Sequence, residues 1–173
     1  GPGGWASIKR QGAYIEQKGA PFARMVPSSG CPGPEYVDPS PHVRLIMLDT
    51  QWWLHDYDRP RDSTSSCPFY TAAGVVNALN RELLTAGDRN VVVMGHHPLA
   101  SGGPHGGELG WTPHLFPLLE IRKWLYIPLP IIGSYYTLNR EQGASDQDIS
   151  GPKNERMRRA LEMVLALRKP LVY

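Results

Sequence analysis

Two adjacent histidines, His96 and His97, follow a short apolar run at residues 91–94 and open a glycine-rich loop that carries a third histidine, His105. Imidazole is a frequent metal ligand and a common acid–base group. Ligand sites in open α/β sheets lie at the carboxyl ends of strands, where this loop would begin. The pattern therefore favours metal-assisted chemistry over a purely structural role for the pair.

Neighbouring side chains on an extended backbone point in opposite directions, so His96 and His97 should have different tasks. We expect one ring to bind a metal ion and the other to face a substrate or to support the ligand. The following loop contains Ser101, Gly102 and Gly103, and its glycines would let the backbone approach an anion closely. It lacks the GxxxxGK[ST] pattern of a nucleotide phosphate loop, and taken alone it is better explained as a surface loop.

A carboxylate, Asp49, follows another apolar run at residues 43–48. It could bind a metal ion or cap a turn, and the structural role is favoured. A Ser-His-Asp hydrolase built from Ser101, His97 and Asp49 is disfavoured, because the chain has no G-x-S-x-G elbow. The next aromatic pair, Trp52 and Trp53, should belong to the core or to the wall of a pocket.

The elements that would position these residues form a strand–helix–strand unit of the α/β class. Its helix has an apolar stripe, a capping Thr71 at its start and Gly87 after its end. The sequence predicts strands at 43–48, 91–94 and 171–173, helices at 71–86, 116–125 and 153–168, and mostly irregular segments at 1–42 (with a short helix or strand at 13–17), 98–113 and 126–151.

Composition narrows the remaining possibilities. The 173 residues, 41% of them hydrophobic, suffice for one domain over 1–173 with a real core. The net charge of +2 is scattered, so nucleic acid is not the expected partner. No apolar segment is long enough to span a bilayer, and no secretory signal opens the chain. Cys31 and Cys67 leave two locations open: a disulfide would imply a periplasmic or secreted protein, and free thiols a cytoplasmic one.

Two strand ends carry a family resemblance. Leu48-Asp49-Thr50 after one strand and Gly95-His96-His97-Pro98 after the next resemble motifs of the calcineurin-like metallophosphoesterases, which include the purple acid phosphatases. A bacterial subgroup is the nearest likeness, with further matching segments at 30–34, 49–55 and 134–136. The resemblance runs from about residue 20 onward. It implies a partial β-sandwich flanked by helices, with long irregular loops.

The resemblance also implies that this chain is an interior fragment. Of the five metal-binding motifs of the family, only the Gly-His element is found. The others would precede residue 1 or follow Tyr173, so missing segments of the same domain are expected. The family implies two metal ions (iron, zinc or manganese) and a bridging hydroxide that attacks a phosphate ester. Because the chain contains one of the metal ligands, it should be inactive by itself.

Residue by residue, the resemblance assigns only His96 as a metal ligand. His97 and His105 would be catalytic, stabilising charge or protonating the leaving group. Ser101, Gly102 and Gly103 would border the substrate. The alternative hypothesis is a non-catalytic α/β module whose aromatic loops bind a protein partner.

Overall fold

A computed structural model describes residues 3–100, 110–141, 152–168 and 170. In this part the chain is mixed α/β, which confirms the predicted class in its broad form. The described residues contain six helices and one three-stranded sheet. The elements are α1 (Gly4–Gly19), β1 (Glu35–Ser40), β2 (Val43–Met47), α2 (Gln51–Leu54), α3 (Ala72–Leu84), β3 (Asn90–Met94), α4 (Trp111–Leu115), α5 (Pro130–Glu141) and α6 (Pro152–Arg168), with 3-10 turns at Ser28–Gly30 and Pro117–Glu120.

The chain divides into two compact units. The sheet unit comprises 1–96 and 159–173, and the helical unit comprises 97–158. All three strands and α1 to α3 belong to the sheet unit, whereas α4 and α5 belong to the helical unit. The residues of α6 are divided between the two.

The sheet has β2 at its centre, with the order β1-β2-β3. β2 runs parallel to β3, in a register that pairs Val43 with Asn90 and Met47 with Met94. β1 runs antiparallel to β2, with Glu35 opposite Met47. Because α3 connects the two parallel strands, the predicted strand–helix–strand unit is confirmed, with strand bounds that differ from the prediction by one residue each.

The helix of this unit, α3, forms as its capping and periodicity predict. The Thr71 hydroxyl accepts a hydrogen bond from the backbone N–H of Gly74 at 3.1 Å, which satisfies one of the unpaired donors of the first turn. Its buried residues follow the apolar stripe: Val75, Ala78, Leu79 and Leu83. Gly87 has φ +62°, a conformation that glycine adopts without the steric cost other residues bear, and it ends the turn after the helix.

The second predicted helix is also present, as α6. Met157, Leu161, Val164 and Leu165 are buried, as the predicted stripe requires, and Ala160 is half-buried. In the sheet unit, Arg168 Nε donates to Asn80 Oδ1 at 2.9 Å and so joins the end of α6 to α3. The predicted strand at 171–173 lies outside the described residues.

The prediction that residues 1–42 are mostly irregular is wrong at α1 and β1. α1 buries none of its residues, so it lacks the buried apolar stripe by which a helix is recognised. It is held by Trp5, whose Nε1 donates to the Ser29 carbonyl at 2.8 Å. β1 contains Pro39, which a strand at the edge of a sheet tolerates because its N–H is not needed there.

Three further predictions need correction in the helical unit. The region 126–151, predicted to be irregular, contains α5. Residues 116–125, predicted as a helix, contain only a short 3-10 turn at Pro117–Glu120, and Phe116, with non-helical dihedral angles (φ −128°, ψ 64°), separates that turn from α4. α4 itself begins inside the predicted irregular segment 98–113.

A buried arginine ties β1 to β2 and α3 at the start of the parallel pair. Arg44 is 5% exposed, and its guanidinium donates to both carboxylate oxygens of Asp38, at 2.8 and 2.9 Å. It also donates to the backbone carbonyl of Glu82 at 3.1 Å and lies 4.1 Å from the centre of the Tyr36 ring. Satisfying several donors in this way makes burial of the charge tolerable.

Candidate functional site

The candidate site lies where the two parallel strands end. β2 ends at Met47 and β3 at Met94, which are paired in register. The backbone N–H of Leu48 donates to the Met94 carbonyl at 2.9 Å, so the ladder continues one residue past the strands. The Leu-Asp-Thr and Gly-His-His-Pro segments therefore leave the sheet side by side, at the edge where α/β proteins place ligands.

A hydrogen bond joins the two segments directly. The backbone N–H of His96 donates to Thr50 Oγ1 at 3.1 Å. Thr50 is fully buried, so its hydroxyl is a fixed acceptor rather than a mobile surface group. This contact sets the backbone position from which the His96 side chain starts.

The His96 residue itself is exposed, which fits a group that must reach a ligand. Asp49 lies near enough that the charge of a protonated His96 opposes part of the rise that burial causes in the pKa of the Asp49 carboxyl. A neutral imidazole in this position could supply a metal ligand, and a protonated one could donate to a phosphate oxygen.

Asp49 makes the structural contacts that the sequence favoured. Its Oδ1 accepts from the backbone N–H of Trp52 at 3.2 Å and so caps the short helix α2. Its own backbone N–H donates to the Pro32 carbonyl at 3.0 Å. Burial raises the pKa of the Asp49 carboxyl, while backbone hydrogen bonds from Trp52 and Gln51 and the charge of His96 oppose that rise.

His97 is 6% exposed, in contrast to the exposed His96. The two adjacent residues therefore differ in burial, and the opposite directions expected of their side chains stay a prediction. A buried His97 suits a supporting role more readily than direct contact with a substrate. Its catalytic assignment stays a prediction.

The remaining predicted site residues are Ser101, Gly102, Gly103 and His105. All four lie outside the described residues. Within the residues that are described, no group of three or more histidine, cysteine, aspartate or glutamate side chains is placed to hold a metal ion. Of the predicted metal and catalytic side chains, only those of His96 and His97 can therefore be located.

No protein-family model matches this chain. No curated protein and no solved structure matches it either. The resemblance to calcineurin-like metallophosphoesterases thus depends on the quoted sequence motifs alone.

Sequence reasoning missed the third segment of the site, which runs through Cys31 and Pro32. Pro32 is fully buried and supplies the carbonyl that accepts the Asp49 N–H. Cys31 forms a disulfide with Cys67, with an S–S distance of 2.03 Å, and so fixes this segment to the loop after α2. The matching segment 30–34 was a signal for it, although the sequence did not indicate its position beside Asp49.

The loop after α2 is anchored by Trp52, which is buried as predicted. Its Nε1 donates to the Pro60 carbonyl at 2.9 Å. The Arg59 guanidinium lies 5.1 Å from the Trp52 ring and donates to the Trp52 carbonyl, and burial lowers the pKa of Arg59. These contacts hold α2, and with it the turn that Asp49 caps.

Two observations bear on location. Cys31 and Cys67 pair, which is the alternative that the sequence linked to an oxidising compartment. Among the described residues, no helix is long and apolar enough to cross a membrane.

Proposed function

We propose that this chain forms part of a metal-dependent phosphoesterase of the calcineurin-like kind, which hydrolyses phosphate esters at a dinuclear metal centre. The observation that carries the proposal is the adjacency of the two strand ends. Leu-Asp-Thr and Gly-His-His-Pro leave neighbouring parallel strands, joined by the 3.1 Å hydrogen bond between His96 N and Thr50 Oγ1. His96 is exposed beside them and would hold one ion.

The described residues supply only part of such a centre. A dinuclear site needs several histidine and carboxylate ligands, and His96 is one. Asp49 Oδ1 accepts a backbone hydrogen bond from Trp52, so we assign Asp49 the structural role that the sequence favoured. The described residues alone do not make a complete metal site. The remaining ligands would come from the other family motifs.

The outer edge of β3 leaves room for a further strand in the sheet. Among the described strands, β3 pairs with β2 on one side only. It carries three consecutive valines, of which Val91 and Val93 are buried. Such apolar strands are typical of sheet interiors covered on both faces. A further strand beside β3 would complete the partial sandwich that we propose, and would cover an edge that otherwise invites aggregation.

The deciding experiment compares two histidine variants of the complete protein that contains this chain. His96→Ala removes the proposed ligand, and His42→Ala is the matched control, since His42 is exposed in the turn between β1 and β2. Elemental analysis gives the metal content, and p-nitrophenyl phosphate hydrolysis gives the activity. Loss of His96 should lower metal affinity and activity by at least about tenfold, since even outer-shell substitutions cost that much. His42→Ala should change neither.

The proposal fails if His96→Ala retains its metal and its rate. It also fails if the unaltered protein contains no stoichiometric metal and hydrolyses no phosphate ester. The isolated chain serves as a third arm. A measurable phosphatase rate from it would contradict the view that it holds one ligand of a larger set.

A further inference from the structure

In the helical unit, one face of α5 packs against α4. A Cβ added at Gly133 would lie 2.2 Å from the backbone oxygen of His114, so the two helices touch at the backbone. One turn later Thr137 is fully buried, and its Oγ1 lies 2.9 Å from His114 Nδ1. Gly133 and Thr137 are four residues apart and therefore share the face that packs on α4.

The opposite face of α5 is apolar and lies open. Ile131 is 85% exposed and Tyr135 is 71% exposed, and they follow the i, i+4 spacing of one helix face. Ile132 and Leu138, at 59% and 48%, lie on either side of them. A helix normally turns such a stripe toward a core, so this arrangement is reversed: the small residues pack and the large ones are exposed.

The segment that precedes α5 has the same character. Four large side chains are more than 60% exposed there: Trp111, Ile121, Trp124 and Tyr126. Between Ile121 and Trp124 lie two exposed cations, Arg122 and Lys123. From residue 110 to residue 139 the sequence contains a single acidic residue, Glu120. The exposed side chains of the helical unit are therefore aromatic, aliphatic and locally basic.

We propose that the helical unit docks on an anionic lipid bilayer, with Trp124, Tyr126 and the open face of α5 at the headgroup boundary. Tryptophan and tyrosine prefer this boundary, and an amphipathic helix can lie in its plane. Arg122 and Lys123 would contact lipid phosphates, as basic residues next to apolar anchors do. Among the described residues no helix is long and apolar enough to span a bilayer. The attachment that we propose is peripheral.

The charge of these residues disfavours two other binding partners, another protein and a second copy of this chain. Tryptophan, tyrosine and arginine are enriched in the cores of protein–protein interfaces, but lysine is depleted there, and Lys123 adjoins Trp124 within the apolar run. In a symmetric dimer the patch would meet its own copy, which offers Arg122 and Lys123 a single carboxylate, Glu120, between residues 110 and 139. Such a contact would lack complementary charge for the two cations. An anionic lipid surface is complementary both to the two cations and to the apolar side chains beside them.

Vesicle flotation tests the proposal with the chain as it stands. Phosphatidylcholine vesicles and vesicles that also contain phosphatidylglycerol are compared at low and high salt. We expect binding to the anionic vesicles that weakens as salt rises. Trp124→Ser should weaken that binding about tenfold, since burying one large apolar side chain contributes about that factor. The matched control is Phe22→Ser in the sheet unit, where Phe22 is 96% exposed, and it should bind like the unaltered chain.

A second variant separates the charge from the apolar anchor. Arg122→Gln with Lys123→Gln should weaken binding to anionic vesicles about fivefold for each charge removed and should reduce the salt dependence. All substituted positions are exposed, so unfolding midpoints should match and loss of binding cannot be attributed to misfolding. Flotation that is absent, or equal for Trp124→Ser and the unaltered chain, overturns the proposal. So does self-association without vesicles that Trp124→Ser abolishes, since it would identify a second copy as the occupant.

Discussion

Replacing Thr50 by valine tests how the two strand ends are joined. Valine has nearly the shape of threonine, so the packing of this fully buried position is kept while the hydroxyl is lost. The backbone N–H of His96, which donates to Thr50 Oγ1 at 3.1 Å, then loses its acceptor. An intramolecular hydrogen bond of this kind contributes about 1 kcal/mol net, and a fully buried donor left unpaired would cost more. Because His96 is exposed, we expect a value of about 1 kcal/mol.

The assay is amide hydrogen exchange followed by NMR. A loss of about 1 kcal/mol corresponds to about a fivefold faster exchange at the His96 amide, if exchange there proceeds by local opening. The amide of Val93, inside β3, is the internal reference. Its exchange rate should change only as much as the free energy of global unfolding requires.

Thr50→Ser is the matched control for this experiment. Serine keeps the hydroxyl and loses a buried methyl, so it should lower the unfolding free energy in urea by about 1 kcal/mol through the cavity it leaves. The His96 amide should nevertheless stay protected relative to Val93. If the two amides keep their ratio of exchange rates in Thr50→Val, the hydroxyl does not hold the His96 backbone and the argument is refuted.

Two further predictions concern stability. Hydrogen bonds from the Arg44 guanidinium lower the pKa of the Asp38 carboxyl in the folded chain. The stabilisation they give is therefore complete at a pH above the pKa of Asp38 in the unfolded chain, and it is lost as the pH falls through the pKa of Asp38 in the folded chain. Urea unfolding should show the largest deficit of Asp38→Asn near neutral pH and a shrinking one below about pH 4; a deficit independent of pH would contradict this. The disulfide between Cys31 and Cys67 spans 36 residues, and loop-closure entropy assigns it about 4 kcal/mol. Dithiothreitol should therefore lower the unfolding midpoint of the native chain but not that of the variant Cys31→Ser with Cys67→Ser. If dithiothreitol lowers both midpoints equally, the disulfide does not stabilise the fold in this way.

The strand–helix–strand unit could be predicted because its signals are local. Thr71 and Gly87 mark the ends of α3, and the valines of β3 form a continuous apolar run. Two strands joined by one helix are expected to lie parallel in one sheet. The adjacency of the two strand ends follows from this topology without any knowledge of the remaining chain.

α5 could not be predicted, because its pattern is the reverse of the usual one. Pro128 and Pro130 suggest a break, although a proline in the first turn of a helix is tolerated. The residues that pack are Gly133 and Thr137, while the apolar stripe is exposed. Hydrophobic periodicity identifies the apolar face of a helix. It does not tell whether that face is buried when the elements packed against the helix are unknown.

The contrasting environments of Asp49 and His96 follow from the order of the strands. β2 is central, so the residues after it are covered from two sides: Asp49 N–H donates to the Pro32 carbonyl, and Thr50 Oγ1 accepts from His96. Among the described strands β3 has a neighbour on one side only, and His96 after it stays exposed. A carboxylate after the central strand is therefore drawn into structural hydrogen bonds, while an imidazole after the outer strand keeps access to a ligand. This difference in cover accounts for the hydrogen bonds of Asp49 and supports, without testing it, the proposal that His96 would hold a metal ion.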